Sequence, residues 1–279
     1  MRLIKFLKIL HLLSFDVVLG AVICNIMFWK LNKTPPVNLF TVVAILGFSV
    51  WIIYILDRLL DNNKIDLTPT ERHIFHQQNA KVLWYFIGLL TLICAVLVIY
   101  LPKNIIIFGI TILSITGIYL LIISKISSRN NFQHYKEPIT AFVYMSGVFG
   151  TTVLSNLHLF SLRIGFVFLL IVFQNLLLFS LLEFKKNSTI INLASYIGMK
   201  KSSLFIILLT CVVSGFGFIS IFNSSTFIYF KYEGNVFLIE ILMSLILLMI
   251  NQFDSFFLTD DRYRWVGDGI FLLPLLIIF

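Results

Sequence analysis

The sequence predicts an all-α protein: a polytopic membrane helix bundle of nine transmembrane helices, with its N-terminus on the cytoplasmic side. Three observations carry this reading. Of the 279 residues, 59% are hydrophobic and 12% charged, and the mean hydropathy is +0.99, whereas soluble domains carry about 25% charged residues. The apolar residues gather in runs near the roughly 20 residues that a bilayer core requires. The basic residues gather in alternate loops, the pattern that orients membrane proteins.

Taken in order, the spans fall at residues 9–29, 37–56, 82–101, 105–124, 139–155, 161–182, 203–222, 236–252 and 265–279. Arg2, Lys5 and Lys8 precede the first run, which is too long for a signal-peptide core and lacks a small-residue cleavage site. Asp16 lies inside it, and an acid at that depth should face the bundle interior. Pro35 and Pro36 separate the first two spans. All of the 21 lysines and arginines except Lys30, Lys33, Lys103, Arg163 and Lys231 fall on one side. By the positive-inside rule that side is cytoplasmic. The net charge of +8 therefore reports topology rather than nucleic-acid binding. Cys24, Cys94 and Cys211 sit within apolar runs at spacings that suit neither zinc nor disulfides. The whole chain, 1–279, is read as one integral membrane domain.

The second span ends in Asp57-Arg58-Leu-Leu-Asp61. Acids at i and i+4 share a helix face. At a membrane surface such a pair offers hard oxygen ligands to a divalent cation that keeps some waters and grips a phosphate. A solvated helix end, with Arg58 and Lys64 as loose partners, is the plainer alternative. A polar stretch to Lys81 follows, longer than neighbouring helices need. Its His73 and His76 suit a helix surface or a phosphate contact better than a metal. After the fourth span Lys125, Arg129 and Lys136 supply three cations, fit for a diphosphate or for lipid headgroups. Asn175 and Glu183 lie about 80° apart in helical projection and can border one cavity. Asp254, Asp260, Asp261, Arg262 and Arg264 are expected to pair with one another. Asp268, deeper in the last span, needs Arg262 or Arg264 as its partner.

These residues carry a resemblance. The chain resembles the UbiA superfamily of intramembrane aromatic prenyltransferases, which have nine helices and two motifs of the form Asn-x-x-x-Asp-x-x-x-Asp. Here the first reads Ile53-x-x-x-Asp57-x-x-x-Asp61, and the second Asn175-x-x-x-Phe179-x-x-x-Glu183. The stretch from Lys185 to Gly198 resembles the family's approach to its seventh helix. Tyr119, Lys125 and Lys136 resemble its tyrosine and basic residues after helix four. The resemblance implies magnesium at Asp57, Asp61 and Glu183, with Asp57, Asp61 and Lys125 as catalytic residues. It implies substrate contacts from Arg58, Tyr119, Arg129, Lys136, Asn175 and Glu183. An isoprenoid diphosphate would ionise at the cytoplasmic face, and a hydrophobic acceptor, aromatic or otherwise lipid-soluble, would attack the cation. The expected location is multi-pass in the membrane, the inner or plasma membrane in a bacterium. Phe179 in place of an acid leaves two further readings open. One is a catalytically inactive lipid- or quinone-binding protein. The other is a transporter using Asp16, Glu240 and Asp268 as ion or proton sites.

Overall fold

The computed structural model describes residues 8–32, 38–61, 71–127, 130–154, 159–223 and 232–279. These are helical, with no strand among them. Among the described residues six helices are long and apolar enough to cross a membrane, so the chain is a multi-pass integral membrane protein. The chain divides into two compact units: unit 1 is Met1–Val22 with Pro36–Asn130, and unit 2 is Ile23–Pro35 with Asn131–Phe279. Helix α1 (Phe15–Trp29) contributes its first half to unit 1 and its second half to unit 2.

Unit 1 contains α2 (Leu39–Asp61), α3 (Glu71–Gln78), α4 (Ala80–Val98) and α5 (Lys103–Lys125). Helix α2 packs on α3, α4 and α5. Ile55, Leu59, Leu83 and Ile87 form its core, flanked by Trp51 and Phe86, whose rings meet edge to face at 4.8 Å. Trp51 also donates its indole N–H to the Leu13 carbonyl at 3.0 Å. A Cβ on Gly47 would stand 3.0 Å from Val22, so the small residue lets α1 approach. Only 17% of the apolar window of α4 or α5 is buried, as expected for lipid-facing helices. Their serine and threonine hydroxyls turn back on the helix: Thr91 donates to the Ile87 carbonyl, Ser114 to Ile110 and Thr116 to Ile112, which satisfies those donors within hydrocarbon.

Unit 2 is built around α7 (Leu159–Lys186), whose apolar window is 67% buried. Around it pack α6 (Lys136–Val153), α9 (Met199–Asn223) and α10 (Tyr232–Gln252). Phe28, at the end of α1, meets Phe149 and Phe168 edge to face at 5.1 and 4.9 Å. Asn25 donates to the Val148 carbonyl at 2.6 Å and to Thr151 at 3.2 Å. Short elements follow: α8 (Leu193–Ile197), α11 (Asp254–Leu258), α12 (Arg262–Gly269) and α13 (Leu275–Ile278).

Two expected spans differ in form. The first is interrupted at Ser14, whose φ of 56° cannot continue a right-handed helix, and α1 proper has 15 residues. The last is broken into α12, a 3₁₀ turn at Ile270–Leu272 and α13, because Gly267, Gly269 and Pro274 weaken a continuous helix. Neither of these, nor the 18-residue α6, is among the six long apolar helices.

A Cβ on Gly165 would lie 2.3 Å from the Phe149 ring, which Phe28 holds from another side. Gly165→Ala should therefore destabilise unit 2 by about 1–3 kcal/mol, read as a lower midpoint of thermal unfolding in detergent; an unchanged midpoint would contradict this packing.

Candidate functional site

In unit 1 the candidate residues share one end. Helix α4 runs back from α3, and Pro102, which has no N–H to continue a helix, separates α4 from α5. Asn38, just before α2, donates to the Tyr100 carbonyl in the α4–α5 turn at 2.7 Å. The start of α2 thus lies beside the start of α5, and the two helices run the same way. Asp57 and Asp61 on the last turns of α2 and Lys125 at the last residue of α5 consequently lie at the same end of unit 1. Asp61 is buried, Asp57 half-buried and Lys125 exposed, and both acids hold contacts within the structure. Arg58, between them, has a buried Nε with no hydrogen-bond partner. Tyr119 is half-buried on α5. Arg129 and the loop acid Asp66 lie outside the described residues.

In unit 2 the second motif faces α12. A Cβ on Gly267 would lie 2.5 Å from the Phe179 ring and 2.8 Å from Asn175 Oδ1. The Phe179 and Tyr263 rings meet edge to face at 5.5 Å. One turn on, Arg264 forms an ion pair with Glu183, donates from Nε to the Tyr263 hydroxyl at 3.1 Å and lies over the Phe179 ring at 5.8 Å. Asn175, Phe179 and Glu183 therefore form one stripe along which α12 docks antiparallel. Glu183 is in the last turns of α7, where the helix dipole disfavours an acid, and Arg264 compensates. Burial opposes the Arg264 charge, yet Glu183, with Tyr263 and Asp268, holds it above the ordinary guanidinium range. Burial likewise pushes the Tyr263 hydroxyl up to about 12, against the pull of Arg264.

The loop acids do not pair chiefly among themselves, as the sequence suggests. Asp254 pairs with Lys185 and Asp261 with Lys186, across from the end of α7; within the loop Asp260 pairs with Arg262 at 3.5 Å. Asp260 and Asp261 both have φ of 53°, a left-handed conformation that Asp tolerates better than most residues. Asp268 is buried and acts on Arg264, one of its two expected partners.

The start of α6 reaches the same end of unit 2. Lys136 is half-buried there. Glu137 accepts from the Leu193 N–H at 3.3 Å and from the Ser180 hydroxyl, while its Oε2 has no partner. Burial raises the Glu137 carboxyl above the usual carboxylate range, partly offset by those two donors. Asn192 caps α8 in a reciprocal box with Ser195 and donates to the Ser180 carbonyl at 2.8 Å; Gly198 ends α8 at φ 92°, a conformation open to glycine. Beside this end Lys185, Met199, Lys200, Ser203 and Leu204 line an open cleft of about 420 Å³. Sequence reasoning missed Lys200 and Gly267, since a glycine's use in docking leaves no local signal. No family model, curated protein or solved structure matches the chain.

Two predictions follow from unit 2. Arg264→Ala strands Glu183 and should cost about 1–3 kcal/mol, while Glu183→Gln in the Arg264→Ala background should recover part of the loss; thermal unfolding of the set in detergent measures both. Glu137, with its raised carboxyl, contributes stability below its unfolded value that is lost as pH rises through the folded one. The unfolding midpoint should therefore fall with rising pH in the native protein and fall less in Glu137→Gln.

Proposed function

We propose that the protein is a UbiA-like prenyltransferase that binds an isoprenoid diphosphate at the cytoplasmic end of a nine-span bundle and transfers the prenyl group to a hydrophobic acceptor. The observation that carries the reading is in unit 1. Two acids one turn apart close a 23-residue apolar helix, Lys125 stands at the same end, and the buried Arg58 Nε lacks an acceptor. A buried guanidinium donor without an acceptor suits a phosphate oxygen.

The donor set also suits magnesium. Carboxylates at i and i+4 supply two hard oxygens and leave the remaining positions to water and phosphate. When bound, the ion would supply neutralisation of charge on the departing diphosphate. Asp57 and Asp61 hold and orient that end of the substrate. Lys125 and Arg58 donate to the diphosphate oxygens as their charge develops. The apolar faces of the helices keep water from the prenyl chain. In unit 2, Glu183 is committed to Arg264 and Phe179 to Tyr263, so the reading assigns the metal to the first motif and gives Asn175 and Glu183 a lesser part.

Purified protein in detergent should bind a prenyl diphosphate only with magnesium present, and the variant carrying Asp57→Asn and Asp61→Asn should lose that binding at least tenfold, about 1.4 kcal/mol. Calorimetry with and without magnesium decides it: equal affinity for the native protein and the variant overturns the proposal.

A further inference from the structure

Helix α10 carries an acid in the middle of an apolar run. Glu240 exposes none of its surface, and neither of its carboxyl oxygens has a hydrogen-bond partner. Among the described residues it forms no ion pair, and it joins no cluster of three or more His, Cys, Asp or Glu ligands. The elements packed on α10 are α7, α9, α11, whose Asp254 pairs with Lys185, α12, α13 and the 3₁₀ turn at Ile270–Leu272. Cys24, on the unit 2 half of α1, is the titratable group that its field reaches; that thiol donates to the Phe271 carbonyl at 3.4 Å. No cation faces Glu240 among the described residues.

A lone carboxylate in such a place is among the costliest groups a protein can hold, and the neutral acid is the form that burial accommodates. A metal ion would need more ligands than Glu240 has around it. A proton needs only the carboxyl.

The surroundings also give a direction of access. On α10, Glu240, Ser244, Leu247 and Asn251 recur at i, i+4, i+7 and i+11, all buried on one face. Ser244 donates to Gln174 Oε1 at 2.6 Å, and Gln174 donates to Thr210 at 2.8 Å. Asn251 donates to the Ser203 hydroxyl at 3.0 Å, and Ser203 lines the basic cleft. Ser244 and Asn251, separated by Leu247, thus place polar side chains on the face of the acid over roughly 16 Å of helix rise toward the cleft.

We infer that Glu240 is a proton-binding site within the membrane, exchanging its proton with the cleft side of unit 2. This is independent of the diphosphate reading, which rests on unit 1. The test uses dicyclohexylcarbodiimide, an apolar reagent that enters bilayers and adds to protonated carboxyls, the acid proton passing to a reagent nitrogen as the carboxyl oxygen bonds the central carbon. The protein in lipid vesicles is labelled across a pH series, digested and mapped by mass spectrometry.

The peptide holding Glu240 should gain the mass of one carbodiimide, with a yield falling about tenfold per pH unit once the acid titrates. Glu240→Gln should leave that peptide unlabelled; should this variant not fold, the map of the native protein decides alone. No label on that peptide at any pH, or a yield indifferent to pH, overturns the proposal. Protection by sodium at fixed pH would overturn it in favour of a metal-cation site.

Discussion

A helix enclosed by other helices has no solvent to receive an unpaired polar group, and that constraint governs unit 2. Helix α7 is enclosed along most of its length, yet it carries Gln174, Asn175, Ser180 and Glu183. Three of them meet partners on neighbouring helices, while Asn175 Oδ1 stays unbonded against α12. Gln174 reaches Thr210 and Ser244, Ser180 reaches Ala194 and Glu183 reaches Arg264. These contacts tie α9, α10, α8 and α12 to one helix, so their positions follow from where the polar residues of α7 fall. Helices α4 and α5 show the converse: mostly exposed to lipid, they satisfy their hydroxyls on their own backbones and need no partner.

The same constraint explains why the second Asp-like motif differs in kind from the first. In the Asn175-x-x-x-Phe179-x-x-x-Glu183 stripe an acid at position 179 would stand against Tyr263 and the Gly267 backbone, where Phe179 instead fills the space. A carboxylate there would share Arg264 with Glu183 and leave one negative charge unmatched. Phenylalanine removes that charge and offers its ring face to the guanidinium. The substitution is thus fitted to the docking of α12, whatever the chemistry of the chain.

Much of this architecture was legible in the sequence, and the residues show why the rest was not. The long apolar helices follow from run length, because hydropathy over about 20 residues is a local property. The separation of α4 from α5 at Pro102 and the placing of Asp57 and Asp61 in the last turns of α2 are local as well. The interruptions at Ser14 and at Gly267 to Pro274 were hidden, because hydropathy reads through a break that leaves composition unchanged. Pairing was hidden for a different reason. Lys185 with Asp254 and Glu183 with Arg264 join residues 69 and 81 positions apart, whereas charge proximity in sequence favoured pairs inside the last loop. Glu240 was visible as an acid in an apolar run, but only the packing around it reveals that nothing answers its charge.

The contrast between Glu183 and Glu240 bears on what each can do. Both are acids on helices at the heart of unit 2. Glu183 has a guanidinium partner and about a third of its side chain in contact with solvent, and its ion pair holds α12. Glu240 has neither partner nor solvent. A fixed charge there would be destabilising by more than most domains can tolerate, so the group persists only if it spends its time neutral. A neutral acid could be replaced by glutamine or leucine with little loss of packing if stability were its only purpose. A carboxyl at that depth makes sense where the proton itself comes and goes, and the polar residues on its face of α10, Ser244 and Asn251, mark the side from which it would be reached.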